Sequence, residues 1–150
     1  STLAEYLTGY SEGRGTENHA WNAPSTVLSK HIAGVAPTSV AWADYHVMPN
    51  MAHMTRVKQL VPSVQGTISV EVARTHADLT MDLLSPDGTQ ALIGVPKQYF
   101  EVREISANGY RIWHRGKFDS GLPGISWAGE DDKYYKFRVV DGSWSIRATD

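Results

Sequence analysis

Residues 67–72 read Thr-Ile-Ser-Val-Glu-Val, and residues 79–83 read Leu-Thr-Met-Asp-Leu. Ile68, Val70 and Val72 share one face of the first run, with Ser69 and Glu71 on the other; Leu79, Met81 and Leu83 repeat the pattern in the second. A period of two marks a strand with one face in a core and the other in water. Outward from this pair the same signals recur. Tyr45–Met48 is a short strand ended by Pro49-Asn50, and Thr55–Val61, Ala91–Val95, Tyr99–Ile105 and Tyr110–Trp113 follow. Asn108-Gly109 is a strong two-residue hairpin signal, because both residues tolerate positive φ. Asp141-Gly142, between Tyr134–Val140 and Ser143–Ala148, reads as a second hairpin. Pro86-Asp87-Gly88 reads as a turn, and the stretch from Gly121 to Asp132 as a longer loop. Eight or nine short strands at this turn spacing predict a mainly β fold, an antiparallel β-sandwich.

The region before the strands has a different pattern. Pro24 suits the first turn of a helix. Ala23, Val27, Leu28 and Ile32 give an apolar stripe at roughly helical spacing. Lys30 and His31 fall in the last turn, at the negative end of the helix dipole. Gly34 suits the position after the helix, and Pro37 prevents its continuation. Gly9, Gly13 and Gly15 punctuate a polar stretch upstream. Two parts are therefore expected: residues 1–36, a terminal helical segment, and residues 38–150, a β domain.

The chain has 150 residues, enough for one domain with an appendage. Its 14 basic and 16 acidic residues leave a net charge of −2 with no basic stripe, so nucleic acid is not an expected partner. No apolar run approaches the ~20 residues that span a bilayer, so no membrane partner is expected. No charged leader with an apolar run opens the sequence, and no signal peptide is expected within it. The absence of cysteine excludes disulfides and thiolate metal sites. His46 and His53 lie seven apart across a turn, and no helical His-x3-His pair exists, so no metal and no cofactor are expected. No P-loop, dinucleotide fingerprint or nucleophile elbow is present. Five Trp and seven Tyr suit either core packing or contact with the C–H faces of sugars.

The candidate site residues cluster near the start. Asn18, His19 and Asn22 form a polar group suited to binding hydroxyls, just before the helix. His19 reads either as such a ligand or as a structural, capping histidine. Trp21 reads equally as a stacking platform or a packing residue. Glu5 alone is a carboxylate whose partner, needed for acid–base hydrolysis of a glycoside, is not visible.

These residues carry a family resemblance. Glu17-Asn18-His19-Ala20-Trp21-Asn22-Ala23, the run Ser29-Lys30-His31-Ile32-Ala33-Gly34-Val35-Ala36-Pro37, and Tyr45-His46-Val47-Met48-Pro49 resemble the C-terminal end of bacterial α-L-rhamnosidases, glycoside hydrolase family 78. Gly66-Thr67-Ile68-Ser69-Val70 resembles a later family segment, and Ser1-Thr2-Leu3-Ala4-Glu5 is similar to the family's Thr-Thr-Leu-Trp-Glu. The match runs through about residue 72; beyond it only the strand pattern and the Val140-Asp141-Gly142-Ser143-Trp144 ending fit. The resemblance implies that residues 1–36 close an (α/α)6 catalytic barrel and that a β-sandwich follows. It implies hydrolysis of terminal α-L-rhamnosides with inversion, with Glu5 as general base, His19 as a sugar-binding histidine in the cleft, and Trp21 as the neighbouring aromatic. The family's general acid lies upstream of this region.

On this reading the chain is a C-terminal fragment, inert alone, whose parent acts on rhamnose-containing glycosides; the location of the parent is left open, with the periplasm or the outside of the cell favoured over the cytoplasm. The apolar face of residues 1–36, without its barrel, is expected to dock on the sandwich, pair with a second copy as a homodimer, or stay mobile. The alternative is a non-catalytic carbohydrate-binding module, recognisable by Trp113, Trp127 and Trp144 lying exposed and coplanar on one face. Their burial would mark a structural sandwich.

Overall fold

A computed structural model describes residues 28–119 and 121–150. The described chain is mainly β. A π-helical segment, Leu28–Ala33, leads into ten strands: β1 (Val35–Pro37), β2 (Asp44–Val47), β3 (Arg56–Ser63), β4 (Gly66–Arg74), β5 (Asp78–Pro96), β6 (Glu104–Ala107), β7 (Tyr110–His114), β8 (Lys117–Phe118), β9 (Ile125–Glu130) and β10 (Tyr134–Thr149). A short 3-10 turn, Val40–Trp42, joins β1 to β2.

Two long strands organise the rest. The first half of β5 pairs with β4 and with the second half of β10, from Ser69↔Leu84 through Ala148↔Leu79. The second half of β5 pairs with β2 and with the first half of β10, from Tyr45↔Ala91 through Phe137↔Ile93. One layer is thus β3-β4-β5-β10-β6-β7-β8, and the other is β1-β2-β5-β10-β9. The sheet folds over on itself at the middle of β5 and β10, the device by which strands switch layers at the corner of a sandwich. Aromatic rings fill the space between the layers: Trp113 of β7 lies 4.5 Å from Tyr135 of β10, and Phe118 of β8 lies 6.0 Å from Phe137. Ile68, Val70, Val72, Leu79, Met81 and Leu83, the residues of the two alternating runs, are all buried.

The structure corrects several expectations. Asp141-Gly142 is not a hairpin. It is a bulge inside β10, with Gly142 at φ 106°, where the register jumps from Val140↔Gln90 to Gly142↔Ser85. Pro86-Asp87-Gly88 likewise lies within β5, as the segment that bulges out opposite. The Asp141 carboxylate accepts a hydrogen bond from the Gly88 N–H at 2.5 Å, so the two expected turns tie each other across the fold. The sheet is not purely antiparallel, since β2 runs parallel to β5. The expected loop from Gly121 contains strand β9, and Pro37, expected only to stop the helix, ends β1, which pairs with β2. Asn108-Gly109 does form the expected hairpin, with φ values of 49° and 83° and Ala107 opposite Tyr110.

A chain of buried hydroxyls braces the corner. Tyr45 Oη lies 2.6 Å from Ser85 Oγ, which lies 2.8 Å from Thr89 Oγ1, and Thr89 donates to the Pro86 carbonyl at 2.6 Å. Burial raises the Tyr45 pKa, partly offset by its hydroxyl partners. The folded state therefore resists ionisation above pH ~10, where the unfolded chain releases its phenolic proton. Stability from this residue is complete below that pH and is lost as pH rises through the folded value. Tyr45→Phe is expected to cost about 1 kcal/mol at neutral pH and to flatten the alkaline fall in melting temperature. A melting series from pH 7 to 11 checks both effects.

Candidate functional site

Glu5, Asn18, His19 and Trp21 all lie outside the described residues, as does the start of the expected helix. The described helical segment ends as expected at Gly34, whose φ is 71°. The segment that follows β2 completes that end. Met48 N–H donates to the Gly34 carbonyl at 2.9 Å, and Asn50 N–H to the Ile32 carbonyl at 3.0 Å, so carbonyls a helix terminus leaves open find partners. This contact passes so close that a Cβ at residue 34 would fall inside the Met48 backbone.

Next to it is an apolar groove of about 500 Å3, lined by Lys30, Val35, Pro37, Trp42, His46 and Val61. Trp42 and Ala41 both adopt left-handed backbone, with φ 62° and 59°, and the Val40 side chain before them is exposed. Burial pushes the His46 pKa down, and the Lys30 charge pushes it the same way. His46 is thus held as a neutral imidazole in the groove wall, close to Lys30.

The tryptophans expected to separate a binding module from a packing domain do not form a platform. Trp113 and Trp144 are 4% and 6% exposed. The Trp144 indole N–H donates to the Val140 carbonyl at 2.8 Å, beside the β10 bulge. Trp127 is half-buried, stacked near Phe118 with centroids 6.2 Å apart and edge-on to Phe137 at 5.2 Å. Trp113 packs on Tyr135, and Trp127 on Phe118 and Phe137, so the three rings do not make one exposed face.

A second groove, about 540 Å3 in volume, opens where β7, β9 and β10 meet, and its lining includes Glu101, Arg103, Trp113, Arg115, Glu130 and Tyr135. The hairpin joining β7 to β8 positions Arg115. His114 and Lys117 pair across a two-residue turn in which Arg115 and Gly116 take φ 45° and 85°. The Arg115 N–H donates to the Arg103 carbonyl at 3.1 Å, which pins the hairpin to the chain entering β6. Arg103 is paired with Asp150 at 3.1 Å and Glu101 at 3.8 Å. Lys97 pairs with Glu130 and sits 4.4 Å from the Tyr135 ring centroid. Sequence reading singled out none of these polar residues.

Among the described residues no cluster of three His, Asp or Glu side chains is arranged to hold a metal ion. Among them no helix is long and apolar enough to cross a membrane.

No protein-family model and no curated protein matches the sequence. Solved structures do match the fold. The α-L-rhamnosidase from Dictyoglumus thermophilum aligns over 99% of this chain and 16% of its own, with a TM-score of 0.75 and 20% identity. The Streptomyces avermitilis α-L-rhamnosidase complexed with L-rhamnose aligns over 87% of this chain and 11% of its own, with a TM-score of 0.67 and 15% identity. The chain therefore spans less than a fifth of the length of these proteins and shares the fold of that part of them.

Proposed function

We propose that this chain belongs to a glycoside hydrolase that removes terminal α-L-rhamnose with inversion. Residues 1–36 would end its helical catalytic domain, and residues 38–150 would form a structural β domain packed against it. The observation that carries this reading is the fold likeness to α-L-rhamnosidases over nearly the whole chain. The short motifs around Glu5, His19 and Tyr45 support it independently.

In this reading Glu5 is the general base. It takes a proton from water as that water attacks the anomeric carbon, while an acid elsewhere in the protein protonates the leaving oxygen. Inversion requires the two carboxyls to stand ~6.5–9.5 Å apart, leaving room for the water. His19 and Asn18 hold sugar hydroxyls, and Trp21 covers an apolar face of the ring. The β domain contributes rigidity, and burial of Trp113 and Trp144 favours this role over a stacking-type binding module. Substrates are rhamnose-containing glycosides, met through the whole enzyme. The apolar groove beside Trp42 and His46 is a natural seat for the helical domain, and a homodimer through the same end is the competing arrangement.

The test compares the 150-residue chain with the longer protein on an aryl α-L-rhamnoside, following the released sugar by proton NMR. The chain alone is expected to be inert. The longer protein is expected to release the β-anomer first. Turnover by the chain alone would overturn the division of labour, and initial release of the α-anomer would overturn inversion.

A further inference from the structure

The groove between β7, β9 and β10 has a use that a purely structural domain does not need. Its lining charges balance: Arg103 and Arg115 stand against Glu101 and Glu130, while Lys97 and Asp150 pair with Glu130 and Arg103. Arg115 alone of these cations has no carboxylate within ion-pairing distance among the described residues. Its conformation is also costly. A two-residue turn with both φ values positive favours Asn, Asp or Gly at its first position, as Asn108 supplies in the adjacent hairpin at φ 49°. Arg115 occupies the equivalent place at φ 45°. A long side chain held in a sparsely populated region is a pointer to function when it faces a cavity.

We infer that this groove is a binding site for a neutral sugar. Arg115 and Arg103 present forked N–H donors, and Glu101 and Glu130 present acceptors, the complement that vicinal hydroxyls require. The balance of charge disfavours an anion. Trp113 is buried and packs on Tyr135, and Lys97 lies over the Tyr135 ring, so neither offers an open stacking platform. Recognition is therefore by hydrogen bonds at the rim rather than by stacking. The volume falls in the range of small-molecule sites, ~300–1,000 Å3, and admits a mono- or disaccharide. In a hydrolase of the proposed kind, such a site would hold part of the glycan substrate; the identity of the sugar rests on that reading.

Titration of the chain with L-rhamnose and a rhamnosyl-glucose disaccharide, followed by amide and indole NMR shifts, tests it. Saturable shifts confined to Arg103, Trp113, Arg115 and Tyr135 are expected at millimolar sugar. Arg115→Asn should weaken binding at least tenfold while leaving the melting temperature unchanged or higher, since asparagine suits the turn better. Three results would overturn the inference: no saturable shift with either sugar, equal or stronger shifts with phosphate or glucuronate, or unimpaired binding by Arg115→Asn. Rhamnosidase activity of the longer protein is measured separately. Its loss would strike the proposed function and leave the groove standing, whereas activity without groove binding would strike only the groove.

Discussion

Gly34→Ala is expected to destabilise the β domain by about 3 kcal/mol or more. Two costs combine. A residue with a Cβ at φ 71° gives up ~1–2 kcal/mol to enter the left-handed region. The new methyl would also occupy the space of the Met48 backbone, which hydrogen-bonds Gly34 at 2.9 Å. Relief requires β2 to move away from the helix end, and forced shifts of this kind cost ~1–3 kcal/mol. β2 cannot move alone, because it runs in register with β5 and carries Tyr45 and Val47 into the core. Gly109→Ala separates the two costs. Gly109 has φ 83° but no atom near where its Cβ would stand, so that variant should show the left-handed penalty only. Urea denaturation of the three proteins gives the comparison. If Gly34→Ala loses no more stability than Gly109→Ala, the close approach of Met48 is not a constraint.

Glu5→Gln, made in the longer protein, is expected to lower turnover of an aryl α-L-rhamnoside by ~10²–10⁴-fold, the usual contribution of a positioned general base. The substitution keeps shape and hydrogen-bonding reach and removes only the ability to accept a proton. KM should change little, because the base touches water rather than the sugar ring. The melting temperature should not change. A variant with near-normal kcat would rule out Glu5 as the base. His19→Ala should behave differently, raising KM more than it lowers kcat, since that residue is assigned to a hydroxyl.

The parts of the fold that could be read from the chain are those in which local pattern and tertiary role agree. The alternation in residues 67–72 and 79–83 survives as the inner faces of β4 and β5 because one face is buried in each. Asn108-Gly109 survives because its hairpin is closed by immediate neighbours. Asp141-Gly142 carries the same local signal and has a different fate. Whether such a pair turns the chain or merely bulges a strand depends on what lies opposite, and here that is Gly88, far away in sequence. β9 was hidden by Gly124 and Gly129, whose positive φ values sit at its start and within it. The residues nominated for catalysis came from motif resemblance, not from spacing or periodicity. The groove around Arg115 could not be read in advance, since it draws on the approach to β6, the β7–β8 hairpin, β9 and β10, which share no local pattern.

Because β5 and β10 each run through both layers, neither layer can open while the other stays intact. Breaking the β5–β10 ladder anywhere along its length exposes the rings and aliphatic chains of both. Amide hydrogens along these two strands should therefore exchange with solvent only through whole-domain opening, at one shared free energy, while those at the β7–β8 tip exchange through small local events. Forming that ladder also requires stretches distant in sequence to meet, so the domain should fold slowly for its size and as one cooperative unit. The hairpin carrying Arg115 lies at the edge of that unit, joined to it by the Arg115 N–H bond to the Arg103 carbonyl, so its opening should cost far less than breaking the ladder.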